Sequence, residues 1–205
     1  VCPPNVRQRF AEFVNRRMRD EPVYRILGRR EFHGLELQMN EATLEPRDDS
    51  ECLLEVVLET IADCQAPLRF LDLGTGTGRI LQLFAPNVDR GLGIDTSRDM
   101  LSVARSTLAS DAIQHLQVRH MDVYKMAGGE RYDLVTLHQV LHFLEDPSLA
   151  LRHAKQRLAE NGRLLIVDFA PHDFEFLREQ HAHRRLGMAT RQIERWLALA
   201  GLKLV

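Results

Sequence analysis

Leu71-Asp72-Leu73-Gly74-Thr75-Gly76-Thr77-Gly78 constrains this chain more than any other stretch. An apolar run over 68–73 reads as a buried strand, and the apolar run from Arg79 to Phe84 reads as the start of a helix over 77–84. Strand, glycine turn and helix is the arrangement with which open α/β sheets bind nucleotide-like ligands at the carboxyl edge. Glycine suits such a turn because it permits positive φ and lets a ligand approach the backbone closely. The spacing is G-x-G-x-G, with Arg79 where a dinucleotide fingerprint places its third glycine, and without the lysine of a phosphate-binding loop.

The rest of the chain supports an α/β reading. Strands are expected at 68–73, 91–95, 116–121, 132–138 and 163–169. Helices are expected at 97–109, 147–159, 173–184 and 190–200. Such alternation specifies a mostly parallel sheet with helices on both faces. Thr96 and Asp99 are spaced as a capping box for the 97–109 helix. The closing Leu202-Lys203-Leu204-Val205 reads as the start of one more strand.

Ahead of this core lies a small appendage. Residues 5–19 have helical spacing, with Val6, Phe10, Phe13, Val14 and Met18 on one face and arginines mostly elsewhere. Glu21-Pro22 should end that helix. Residues 29–46 alternate as a β-hairpin, through Phe32–Leu37 and Ala42-Thr43-Leu44. Asp48 and Glu51 then form a capping box for a helix over 49–63. The expected division is 1–27 as a helical segment, 28–47 as a hairpin linker and 48–205 as the main domain.

At 205 residues, 44% of them hydrophobic, one domain with an appendage is the natural count. The formal net charge of -2 gives no whole-chain argument for nucleic acid or membrane. No apolar run approaches the roughly 18 residues of a membrane span. Cys2, Cys52 and Cys64 show no C-x-x-C spacing, so reduced thiols and a cytoplasmic location are expected.

Several residues could carry chemistry. Gly91-Leu92-Gly93-Ile94-Asp95 is an apolar strand ending in a carboxylate about 20 residues after the glycine loop, where it can accept hydrogen bonds from a ribose diol. The fourth strand ends in His138-Gln139-Val140-Leu141-His142, making His138 the candidate base or pocket residue and His142 a weaker one. His172, His181 and His183, with Asp173 and Glu175, match no standard zinc spacing; a segment covering the substrate is the expectation there, and no metal.

Asp72-Leu73-Gly74-x-Gly-x-Gly78 resembles motif I of the class I S-adenosylmethionine (SAM)-dependent methyltransferases. Over about 68–202, LDLGTGTGRIL, GIDTSRDMLSVAR, YDLVTLHQVLHFLEDP and ENGRLLIVDFAPHDFEFLREQHAHRRLG are similar to the methyltransferase domain of bacterial ArsR-type regulator fusions. The resemblance implies a Rossmann-like fold with SAM as cofactor. It puts Asp72, Gly74, Thr75, Gly76, Gly78, Asp95, Thr96, Asp122, Val123 and His138 at the cofactor, with Asp95 on the ribose and Asp122 and the Val123 N–H at the adenine. It also implies that part of the last β-hairpin is missing.

Residues 16–58, EPVYRILGRREFHGLELQMNEATLEPRDDSECLLE above all, resemble a second family. This is the protein-(glutamine-N5) methyltransferases that modify peptide-chain release factors, matched at Pro46 and Arg47. That family carries Asn-Pro-Pro-Tyr at the fourth strand to hold the glutamine amide, and this chain reads His138-Gln139-Val140-Leu141 there. A head like one family on a core like another is expected either of a designed or recombined chimera or of a natural lineage that lost the motif. The two resemblances imply a small-molecule acceptor entering between His138, the hairpin and the 172–187 segment, with a release factor as the alternative. A SAM-binding scaffold without turnover is a third possibility.

Overall fold

The computed structural model describes residues 4–32, 35–39, 68–126 and 128–204. The chain divides into two compact units near residue 56. The expected strand residues Ala42–Leu44, the segment at Pro46 and Arg47, and the 49–63 helix with its capping box lie outside the described residues.

The first unit contains helix α1 (Pro4–Arg17) and a short helix α2 (Val23–Leu27). Strands β1 (Arg29–Phe32) and β2 (Leu35–Gln38) pair antiparallel, with Arg29 opposite Gln38 and Phe32 opposite Leu35. Helix α1 stops two residues before the expected end, and Asp20 follows at φ 61°. The Arg16 guanidinium bonds both carboxylate oxygens of Glu21, tying the helix end to the turn. Gly28 at φ 73° caps α2, and its carbonyl accepts from Met39 N–H at 2.9 Å, which closes the hairpin. Val6, Phe10, Val14 and Met18 form the expected stripe on α1, and it is exposed.

The second unit is a five-stranded parallel sheet. Its strands are β3 (Arg69–Leu73), β4 (Arg90–Asp95), β5 (Leu116–His120), β6 (Tyr132–His138) and β7 (Leu158–Val167). Their order is β5-β4-β3-β6-β7, every neighbour parallel. The chain runs outward from β3 through β4 and β5, then returns to the other side of β3 as β6. That reversal makes the carboxyl ends of β3 and β6 the switch point at which open α/β sheets bind ligands.

Helices α3 (Arg79–Phe84) and α4 (Arg98–Ser110) follow β3 and β4. Phe84 of α3 meets Phe70 edge to face at 5.2 Å. Gly91 and Gly93 make room for Leu81, whose methyl carbons lie 3.2 and 2.4 Å from where their Cβ atoms would be. Leu116 of β5 lies 2.5 Å from that position at Gly91 and Thr75 2.6 Å from it at Gly93, so close packing by helix, neighbouring strand and loop explains the two glycines of an otherwise apolar strand. Helices α5 (Pro147–Arg157) and α7 (Thr190–Leu199) contribute Ala150, Leu151, Ala154 and Leu197 to a core with Leu71, Leu73, Ile94, Val135 and Leu137. Each fully buried Leu or Ile there contributes roughly 1.5–3 kcal/mol.

The register of β3 against β6 is fixed at both ends. Arg69 donates from Nε and Nη2 to the Asp133 carboxylate at 3.1 and 3.0 Å, and its backbone N–H adds a third bond at 3.0 Å. Thr136 donates its hydroxyl to Asp72 Oδ1 at 2.6 Å. A slip of one residue would break both pairs and turn the strand's apolar set to the other face.

Four boundaries differ from expectation. The cap of α4 is Ser97, whose hydroxyl accepts from Met100 N–H at 3.3 Å, in place of Thr96. Strand β7 begins at Leu158, because Asn161 adopts φ 60° and lets the strand absorb a register shift opposite Tyr132–Leu134. The expected helix over 173–184 is only α6 (Phe176–His181), ended by Ala182 at φ 56°. Residues 202–204, expected to open another strand, lie in none.

Candidate functional site

The glycine loop leaves β3 at its carboxyl end, and each glycine has a positive φ: 73° at Gly74, 53° at Gly76 and 77° at Gly78. Their surroundings differ. A Cβ on Gly74 would lie 2.4 Å from Val140 Cγ2, and one on Gly78 would lie 2.9 Å from Ala104 Cβ. A Cβ on Gly76 would meet nothing within 4 Å. Gly74 and Gly78 therefore serve packing, while Gly76 presents backbone to open space. The Gly74 and Thr75 N–H groups both donate to Ile94 carbonyl at 2.9 Å, which anchors the loop to β4. The Thr75 hydroxyl is turned into the fold against Gly93 and is buried, so Thr75 offers a ligand only its backbone.

Asp95 ends β4 and joins the two halves of the site. Its Oδ2 accepts from Gly76 N–H at 2.8 Å and its Oδ1 from Ser97 N–H at 2.7 Å. A carboxylate has about four acceptor positions, so about two are left for a ligand diol. Thr96 is exposed, and its carbonyl is bonded by His120 Nε2 at 3.0 Å.

Asp72 is buried beneath the loop at 1% exposure. Its Oδ1 takes the Thr136 hydroxyl. Burial pushes this carboxyl up to about 6, against the opposing pull of the Thr136 and Thr75 hydroxyls and with help from the Asp95 charge. Asp72 thus orders the turn from below.

Met121 N–H donates to Asp95 carbonyl at 2.9 Å, which brings Asp122 next to Asp95. Asp122 Oδ1 accepts from Tyr124 N–H at 2.9 Å and caps a short turn over Val123–Lys125. The Val123 side chain is buried. His138 ends β6 and is half-buried, and Gln139 follows at φ 54°, its N–H donating to Val167 carbonyl at 2.7 Å. The glycine loop, Asp72, Asp95, Asp122 and His138 therefore share one edge of the sheet.

His142 and Asp168, the latter not singled out by the sequence, form a buried pair. His142 is 1% exposed, and its Nδ1 lies 2.7 Å from Asp168 Oδ1. The same carboxylate accepts Leu141 N–H and Phe169 N–H, both at 2.8 Å. The partners are distant in sequence, which hides them from local patterns. One signal was present: Ile166-Val167-Asp168 is an apolar strand ending in a carboxylate, the same pattern that singled out Asp95.

A family model described as "Methyltransferase domain" matches residues 47–205. Release factor glutamine methyltransferase of Agrobacterium fabrum is 41% identical over 110 residues, 51% of this chain and 38% of that protein. The Escherichia coli protein of the same name is 33% identical over 144 residues, 69% of this chain and 51% of that protein. The chain thus spans about half or less of the length of these relatives. The alignments are too long to fit within residues 16–58, so the likeness to them extends beyond the stretch the sequence suggested. Among solved structures, the YcgJ protein from Bacillus subtilis aligns with TM-score 0.65 and 24% identity, over 75% of this chain and 68% of that one. That likeness shows the fold: an α/β, Rossmann-like class I methyltransferase sheet. Among the described residues no helix is long and apolar enough to cross a membrane.

Proposed function

The chain belongs to the methyltransferase-domain family, and from that premise we propose that it transfers the methyl group of SAM to a small-molecule acceptor. The observation that carries the reading is the Asp95 carboxylate bridging Gly76 N–H and the start of α4. A ribose diol bound there would find this acceptor beside the one loop glycine that faces open space. The residues fit the cofactor in other respects. The turn over Gly74, Gly76 and Gly78 would cradle its methionine part at Gly76, Asp72 would order that turn from below, and Asp122 with the Val123 N–H would meet the adenine.

Bound there, SAM supplies a methyl group on a positively charged sulfur. The chain's task is then alignment and exclusion of water, since displacement at that carbon needs an in-line nucleophile. A base is needed only if the acceptor atom carries a proton that must leave. His138, at the end of β6, would be a pocket residue there. Residues 48–205 would form the catalytic part, with 1–27 and 28–47 as its appendage.

The small-molecule acceptor follows from His138-Gln139-Val140-Leu141. No asparagine or proline stands there to grip a glutamine amide. A second reading, methylation of a release-factor glutamine, is favoured by the names and identities of the Agrobacterium and Escherichia relatives. Calorimetric titration of SAM into wild type and Asp95→Ala tests the shared part. Losing a charged hydrogen-bonding partner should cost roughly 1.5–3 kcal/mol of binding. Equal affinities would refute the site. Formation of S-adenosylhomocysteine with purified release factor, and not with small acceptors, would decide for the second reading.

A further inference from the structure

Beyond β6 and β7 the same edge holds a second constellation that cofactor binding leaves unused. Its base is Asp168, whose side chain is 0% exposed, paired with His142. The His142 ring lies 4.1 Å from His183 and 4.0 Å from Phe143 between centroids, and 5.0 Å from Phe169. From Phe169 the ladder continues to His172 at 5.7 Å and to Phe174 at 5.2 Å beyond it. The inner rings are buried and the outer ones open to solvent: His183 is 9% exposed, Phe143 43% and Phe174 60%. Val140, which packs on Gly74, stands two residues before His142, so the ladder adjoins the glycine loop.

Two polar atoms in the ladder lack partners. His183 Nδ1 and His172 Nε2 are buried and find no hydrogen bond among the described residues. Buried imidazole nitrogens of this kind are normally satisfied. Burial first, and then the neighbouring His142, His181 and His172, hold the His183 imidazole below its usual range against the opposite pull of Asp168, which favours the neutral ring. A neutral ring keeps one nitrogen able to accept a proton. The segment carrying it is fastened to the edge: Arg184 and Arg185 N–H donate to His142 carbonyl, and Met188 N–H donates to Phe169 carbonyl.

Resting on the reading of this chain as a SAM-dependent methyltransferase, we propose that Phe143, His172, Phe174 and His183 form the acceptor subsite, and that it takes a small planar aromatic compound bearing a hydroxyl or ring N–H. Exposed rings at the mouth give a planar acceptor faces and edges to stack on. The unpaired imidazole nitrogens give its polar atom a partner. An extended peptide would use neither feature. In the reaction the acceptor oxygen or nitrogen attacks the methyl carbon. A C–O or C–N bond forms as the carbon–sulfur bond breaks, and that electron pair stays on sulfur. The acceptor's proton passes to His183 and then to solvent. Asp168 and His142 are positioning residues that hold the ring behind His183.

Catechol and indole are suitable probes, with cyclohexane-1,2-diol and a Gly-Gly-Gln peptide as controls. S-adenosylhomocysteine formation is followed with each, alongside SAM binding by calorimetry. At least one aromatic probe should saturate the enzyme and both controls should not. Phe174→Ala, a change at an exposed ring, should raise KM for that probe tenfold or more with SAM affinity unchanged. His183→Gln should lower kcat and abolish the fall in rate on acidification. Tight SAM binding with no turnover of either aromatic probe overturns the subsite, as does equal use of cyclohexanediol, peptide turnover with inert aromatics, or an unchanged KM in Phe174→Ala. Absence of SAM binding overturns the methyltransferase reading itself.

Discussion

Alanine at Gly74 separates the two reasons for glycine in the loop. The residue sits at φ 73°, where a side chain costs about 1–2 kcal/mol. Its Cβ would also lie 2.4 and 2.9 Å from the two γ-carbons of Val140, and overpacking of this kind costs roughly 1–3 kcal/mol. Gly74→Ala should therefore lose about 2–5 kcal/mol, which lowers Tm by roughly 5–15 °C for a domain of this size. Val140→Ala deletes both clashing carbons. In that background the same substitution should cost only the backbone part, about 1–2 kcal/mol. Urea unfolding of wild type, both single variants and the double variant measures the coupling, expected at roughly 1–3 kcal/mol. Gly76→Ala is the control, since its φ is 53° but its Cβ would touch nothing. Additive single-variant losses, or a Gly76→Ala loss equal to that of Gly74→Ala, would refute the packing argument.

Two carboxylates give opposite pH signatures. Asp72 is held up to about 6 from an ordinary 3.8, so its folded form favours the proton. That contribution is full below about pH 4 and disappears as pH rises through 6. Relative to Asp72→Asn, wild type should lose about 2.5 kcal/mol of stability between pH 4 and pH 8, and a pH-independent difference in urea midpoints would contradict this. Asp133 behaves the other way, because the Arg69 guanidinium bonded to it holds its carboxyl below the usual range. Its contribution is present above the ordinary carboxylate pKa and lost as pH falls through the lowered one. The pair is partly solvated, so Asp133→Asn should cost only about 0.5–1 kcal/mol at pH 7, a gap that narrows as pH falls below the ordinary carboxylate range. A gap that widens there would reverse the assignment.

The parts of the fold that were legible in the sequence are those set by local pattern. Strands β3, β4 and β6 are apolar runs bounded by turn residues, and their positions agree closely with expectation. The glycine loop and Asp95 were legible because one strand and one turn fix both. Features decided by tertiary contact were not. Ser97 caps α4 because the Asp95 carboxylate also takes its N–H, which places Thr96 outside the cap. The 173–184 segment has enough apolar residues for a longer helix. His172 N–H instead bonds Leu186 carbonyl and Glu175 N–H bonds Asp173 carbonyl, so the helix starts only at Phe176. His142 reads as an isolated polar residue until the sheet order sets β7 beside β6 and supplies Asp168. In α1 the apolar period was readable, but its exposure was not, since periodicity reports a face and not its cover.

The two pairs that lock β3 to β6 have a consequence for how such a domain can diversify. Arg69–Asp133 sits at one end of the strand pair and Asp72–Thr136 near the other, and neither draws a residue from the loops beyond His138 or Val167. The strands that present the glycine loop thus carry their own alignment marks. Segments after β6 and β7 can be exchanged, lengthened or rewritten without moving those marks. The sheet works as a fixed frame with interchangeable fittings: the half of its carboxyl edge at β3 and β4 stays put, and the half at β6 and β7 is open to new sets of loops.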